Sequence, residues 1–212
     1  MALKTWKDLS REFADYPQER VLIRPAPGTA TKEDVIRLND HEDRLCELID
    51  GVLVEKAVGF KESFIAAYLI ELLGPFARQH QLGIVLGSDG TVELFPGQVR
   101  IPDVAFYSWD KLPGRTIPED PIPELHPDLA VEVLSKSNTP GEMFRKRKDY
   151  FFAGVKLLWV IDRRAGVVEV YTSPTDVTRL TAADTLPGGD VLPGFAVPVS
   201  QLLAAGGEPS PA

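Results

Sequence analysis

The run Asp128-Leu129-Ala130-Val131-Glu132-Val133-Leu134 is apolar at nearly every position, which fits a central strand covered on both faces. Glu132 breaks the pattern. A charged carboxylate inside a buried strand costs several kcal/mol unless it is paired or holds a metal, so two readings stand: a catalytic acid, or a buried ion pair with a lysine or arginine. Downstream, Thr139-Pro140-Gly141-Glu142 supplies an N-cap, a first-turn proline and a capping-box glutamate, and Gly154 supplies a stop; together they predict a helix over 140–153. Residues 156–161 then read as a second buried strand.

Working back from this unit, two strand-like runs at 45–49 and 52–54 are joined by Asp50-Gly51, a strong short hairpin signal. A long helix follows, with Phe64, Ala67, Tyr68, Ile70 or Glu71, Leu72 and Pro75 or Phe76 at helical spacing and Gly83 as its expected stop. Strands are predicted at 84–86, 91–95 and 104–107, separated by the turns Ser88-Asp89-Gly90 and Phe95-Pro96-Gly97. Nearer the N-terminus, 5–13 and 31–38 read as short helices with a strand at 21–23 between them, while the proline-rich stretch 113–127 reads as a long loop. Edge strands at 166–172 and 177–181 and a short helix from Val199 or Ser200 complete the order, which implies an α/β or α+β domain around a mixed sheet.

A length of 212 residues with 44% apolar and 25% charged side chains suits one domain, expected over 1–205, with a flexible tail at 206–212. The apolar runs are too short to span a bilayer and the start lacks an apolar signal core, so the chain is read as soluble and cytoplasmic, with no membrane partner. The single cysteine, Cys46, excludes an internal disulfide and a cysteine-based zinc site, and its apolar surroundings point to a packed thiol. With 23 basic against 31 acidic residues the net charge is −8, which argues against broad adhesion to nucleic acid but leaves room for a local basic strip. Walker loops, nucleophile elbows and dinucleotide fingerprints do not occur. His41, His80 and His126 lie in unrelated polar segments and read as surface residues. Trp6, Trp109 and Trp159 read as core or rim anchors.

Two further residues gather around Glu132 as candidates. Ile101-Pro102-Asp103-Val104 sets an aspartate at the mouth of an apolar strand, where it either faces a cleft or serves ordinary turn chemistry. In the basic run Arg145-Lys146-Arg147-Lys148, Lys146 flanks the side of its helix that carries Met143, Tyr150 and Ala153. Wheel geometry alone places Arg147 nearer the centre of the apolar face formed by Met143, Phe144, Tyr150 and Phe151, and composition alone reads the run as a solvated face.

These segments resemble the PD-(D/E)xK nuclease superfamily, and within it a bacterial family of restriction-endonuclease-like proteins. The matching stretches are Glu47-Leu48-Ile49-Asp50-Gly51-Val52-Leu53-Val54, Arg100-Ile101-Pro102-Asp103-Val104, Pro127 through Ser135, Lys146 to Tyr150, Gly154-Val155 and Leu158-Trp159-Val160-Ile161-Asp162, in order across about 45–171. The resemblance implies a restriction-endonuclease-like mixed sheet flanked by helices, with an N-terminal hairpin extension. It also implies a magnesium-dependent endonuclease acting on DNA, with manganese as a substitute ion. Double-strand cleavage usually needs two active sites, and the expected edge strands at 166–172 and 177–181 are available to pair across a two-fold axis, so a homodimer is expected. Asp103 and Glu132 would hold the metal, with the Val133 carbonyl as a further ligand. Glu47 would be an additional ligand, or part of an ion pair. Position 134 is leucine, so the motif's usual lysine is absent, and the resemblance moves that role to Lys146 on the following helix. Many relatives carry a histidine near the start of the long helix, where this chain reads Phe60-Lys61-Glu62-Ser63. A nuclease-fold protein without activity, acting as a binding or assembly module, is the alternative.

Overall fold

The computed structural model describes residues 5–41, 44–57 and 59–205. Its first half runs α1 (Trp6–Glu12), α2 (Lys32–His41), β1 (Cys46–Ile49), β2 (Val52–Glu55), α3 (Phe60–Gln79), β3 (Gly83–Leu86), β4 (Val92–Phe95), β5 (Gln98–Arg100) and β6 (Val104–Ser108). The second half runs β7 (Leu129–Val133), α4 (Pro140–Ala153), β8 (Leu157–Asp162), β9 (Val167–Tyr171), β10 (Val177–Thr181), β11 (Thr185–Pro187), β12 (Ala196–Pro198) and α5 (Val199–Ala204).

A six-stranded sheet in the order β10-β9-β8-β7-β6-β3 forms the centre, and it is mixed: β7 and β8 are parallel, and every other pair is antiparallel. The parallel pair needs a crossover, and α4 is that crossover. Alternation along β7 divides its side chains between two cores. Leu129, Val131 and Val133 join Trp159 and Ile161 of β8 under Ile65, Leu69 and Leu73 of α3. Ala130 faces the other way, with Leu158, Tyr107 and Tyr150 of α4. Glu132 has the parity of Ala130, so it points at α4.

The hairpin β1–β2 forms as its Asp50-Gly51 turn predicts, with Asp50 at φ 48° and Gly51 at φ 76°. It belongs to a second, antiparallel sheet in the order β2-β1-β5-β4. Strand β5 is too short to register as a periodic run, and the Phe95-Pro96-Gly97 turn joins it to β4. Helix α4 matches its local signals: Thr139 and Glu142 make the reciprocal capping box, and Gly154 ends the helix at φ 98°.

Four expectations need correction. The fully buried face of α3 is Ile65, Ala66, Leu69, Leu73 and Ala77, while Tyr68, Ile70, Leu72 and Phe76 of the expected stripe pack partly buried beside it and Phe64 is half exposed. That helix stops at His80 and Gln81, the latter at φ 54°, while Gly83 opens β3, where a Cβ would collide with the Tyr107 carbonyl. The strand expected at 21–23 is a single bridge from Val21 to Val54, cut short by Pro25. Strand β9 is interior because β10 covers it, which leaves β10 and β3 as the edges. The expected tail at 206–212 lies outside the described residues. Cys46 is a fully buried thiol. Among the described residues no helix is long and apolar enough to cross a membrane.

Candidate active site

Asp103 sits where the chain enters β6, after Pro102 has held it extended. Its own N–H donates to the Val131 carbonyl at 2.9 Å, and its Oδ2 accepts from the Val133 N–H at 2.7 Å. The carboxylate is thereby fixed against β7 beside Glu132. Its other oxygen, Oδ1, lies 2.9 Å from Lys56 Nζ, and Lys56 also donates to the Ile101 carbonyl at 2.7 Å.

Glu132 meets the helix through residues four apart. On α4, Glu142, Lys146 and Tyr150 form one buried stripe, as the helical repeat requires of positions i, i+4 and i+8. Lys146 Nζ is 2.9 Å from both oxygens of Glu132, and Tyr150 donates its hydroxyl to Oε1 at 2.6 Å. The same ammonium lies 3.0 Å from Glu47 Oε1 on β1. Glu47 in turn accepts from Arg100 at 2.7 Å and from the Ile101 N–H at 3.2 Å. Behind it, Arg100 reaches Asp149, which also accepts from Gln98 at 2.7 Å. One turn before Lys146, Glu142 is clamped by both terminal guanidinium nitrogens of Arg20 at 3.0 and 2.8 Å.

Burial sets the proton affinities, and the neighbours modify it. Desolvation raises the Glu132 pKa; Lys146 and Lys56 oppose the rise, while Asp103 and Glu47 reinforce it. Glu47 is equally buried, yet Lys146 and Arg100 together outweigh its desolvation and hold it down at about 2. For Lys146, burial favours losing the proton, but Glu132 and Glu47 overcome it, so the ammonium form is firmly held. Tyr150 is kept protonated by burial first and by Glu132 second, which suits its role as a donor.

The structure therefore brings Asp103, Glu132, Lys146 and Glu47 into one cluster, and Val133 enters it through its backbone. Arg147, the centre of the apolar wheel, lies elsewhere: its guanidinium stacks 4.3 Å from the Tyr171 ring and 5.2 Å from that of Phe144. Sequence reading missed Lys56, Arg100 and Asp149 as cluster members. For Lys56 the available signal was a charge directly after an apolar hairpin strand; for Arg100 it was a cation in front of Ile101-Pro102-Asp103. Among the histidines, His41 and His80 are exposed, whereas His126 is half-buried beside Lys111 Nζ at 2.7 Å, with its pKa lowered by burial and by that lysine. Trp159 is a fully buried core anchor.

As donors, Asp103 and Glu132 are hard carboxylate oxygens, which in kind fit a divalent cation such as magnesium. Here the lysines supply the positive charge at both. Among the described residues no group of three or more His, Cys, Asp or Glu is arranged to hold a metal ion.

The fold resembles that of a solved structure, described as a putative nuclease belonging to DUF820 from Anabaena variabilis, with a TM-score of 0.68 and 17% identity, covering 76% of this chain and 91% of the other. No curated protein matches the chain. Residues 32–200 match the Uma2 family, described as "Putative restriction endonuclease". With most of its length matched and a PD-(D/E)xK-like nuclease fold around the Glu132 strand, the chain belongs to the Uma2 family.

Proposed function

We propose that this chain is a magnesium-dependent endodeoxyribonuclease that hydrolyses phosphodiester bonds at the Asp103–Glu132–Lys146 cluster. The observation that carries the reading is the lysine: Lys146 comes from a helix, yet its ammonium lies 2.9 Å from both oxygens of the acid in β7. The position two after Glu132 is leucine, and the crossover supplies the missing cation from α4. Asp103 and Glu132 would hold the ion, with Glu47 and the Val133 carbonyl as further oxygens, and manganese would substitute. Bound there, the ion would activate a water and offset phosphate charge. Lys146 positions the attacking water and stabilises charge that builds on the phosphate, and Tyr150 holds Glu132 in place. The exposed edge strand β10 is available to pair two copies across a two-fold axis, which supports a homodimer.

A second reading, a nuclease-fold binding module without activity, is favoured by the pairing of both central acids with lysines in this structure. Plasmid cleavage in magnesium or manganese separates the two. The nuclease reading expects cleavage that chelation stops and that Asp103→Asn or Glu132→Gln abolishes without unfolding the protein. It is overturned by the absence of metal-dependent cleavage, or by full cleavage in both folded variants. Light scattering that finds only monomer at micromolar concentration removes the homodimer.

A further inference from the structure

A cleft of about 560 Å³ opens at the carboxyl ends of the two parallel strands and is lined in part by Phe60, Lys61, Ser135, Lys136, Arg163 and Arg164. Topology explains its position. Ser135 and Lys136 continue the chain just past Glu132, Arg163 and Arg164 continue it past β8, and Phe60 and Lys61 open α3. The carboxyl ends of parallel strands are where such sheets leave a crevice for ligands.

The charge of this lining opposes that of the chain. Four of its residues are cations and one, Glu62, is an acid, in a protein with a net charge of −8. None of the four cations is paired with a carboxylate among the described residues; Arg164 instead donates to the Ser135 carbonyl at 2.8 Å. Lys56, Arg100 and Lys146, by contrast, are all committed to acids. At the rim Phe60 is 91% exposed, and Phe64 one turn later is 50% exposed. A large ring held in water beside unpaired cations has the composition of a surface that stacks a base and tracks a phosphate backbone. Bases inside a duplex are already stacked on one another, so the ring has a face to meet only in an unpaired strand.

We propose that this cleft binds a single-stranded segment of DNA, with Phe60 stacked on an unpaired base and Lys61, Lys136 and Arg163 against the phosphates. The strand would run from the cleft toward Glu132. This deepens the nuclease reading and rests on it for the fate of the strand, whereas binding itself can be tested without cleavage.

The test is fluorescence anisotropy on the full chain in chelator, using a labelled mixed-sequence single strand and the duplex of the same sequence. The single strand should bind more tightly. Phe60→Ala should weaken it by about tenfold, the scale of one base–aromatic stack, and leave duplex affinity and melting temperature unchanged. Lys136→Glu should weaken both forms and flatten the salt dependence. Equal affinity for the two forms, or single-strand binding indifferent to Phe60→Ala, overturns the proposal. Tight, Phe60-dependent binding with no metal-dependent cleavage supports the cleft and refutes the nuclease reading. Cleavage indifferent to Phe60→Ala, with no single-strand preference in binding, does the reverse.

Discussion

Replacing Lys146 by methionine keeps the length of the side chain and removes its charge, leaving two buried carboxylates to be accommodated. Glu47 retains Arg100 at 2.7 Å, so most of the loss falls on Glu132, which keeps the Tyr150 hydroxyl at 2.6 Å and the weaker pull of Lys56. Removing one partner of a buried pair costs about 3–5 kcal/mol. In a chain of this length each kcal/mol moves the melting temperature by roughly 2–4 °C, so the expected drop is about 6–20 °C. Glu132 can escape by protonating, and burial already raises its pKa. A raised folded-state pKa gives stability that is present at low pH and lost as pH rises through it, so the deficit should be smaller in mildly acidic than in mildly alkaline buffer. Adding Glu132→Gln to Lys146→Met removes the orphaned charge and should recover at least half of the drop, while metal-dependent cleavage stays lost. Differential scanning calorimetry and a plasmid assay on the single and double variants measure both effects. A Lys146→Met protein that melts with the wild type, or a double variant less stable than the single, would refute the ion-pair reasoning.

Glu47→Gln should flatten the acid limb of the stability curve. The wild-type carboxylate is held at about 2, against an ordinary 4.5, so its contribution is present above 4.5 and disappears as pH falls toward 2; urea melts in which both proteins lose stability in parallel across that window would contradict the assignment. Arg147→Ala should cost only about 0.5–2 kcal/mol, the worth of its ring contacts, and leave turnover intact. If Arg147→Ala instead abolishes cleavage while the charge-removing changes at Lys146 do not, the catalytic cation has been misplaced by one residue. Thr139→Ala removes the N-cap of α4 and should destabilise by about 1 kcal/mol in a thermal melt; no change would mean that the cap does not hold the helix start.

Features legible in the sequence were those encoded by neighbours. Thr139, Glu142 and Gly154 bound α4 because capping is local, and Glu132 stood out because one acid in an apolar strand needs a partner. The choice between Lys146 and Arg147 was not local. A hydrophobic wheel assumes that the buried face is apolar, and on α4 the buried stripe is Glu142, Lys146 and Tyr150, while Phe144 is 47% exposed. The family resemblance pointed to Lys146 where the wheel did not. Lys56 and Arg100 escaped because their partners, Asp103 and Glu47, lie some fifty residues away in the chain, and nothing in their own segments records the pairing. The α3 face was read only in part for a related reason: Phe64 fits the helical period, as do Tyr68, Leu72 and Phe76 at the margin of the core, but the sheet buries Ile65, Leu69 and Leu73 most deeply.

The bidentate clamp of Arg20 on Glu142 crosses 122 residues, and Arg20 lies outside the family match, which begins at residue 32. A chain trimmed to that boundary would keep every proposed catalytic residue and still lose the guanidinium that neutralises a fully buried acid one turn from Lys146. Its helix would then have to turn away or expose the acid to water, either at the expense of where the lysine sits. The N-terminal segment thus acts as a brace behind the proposed catalytic residues, with the Tyr16 hydroxyl also 3.5 Å from Arg100, and a domain boundary drawn from sequence similarity alone would cut through the brace.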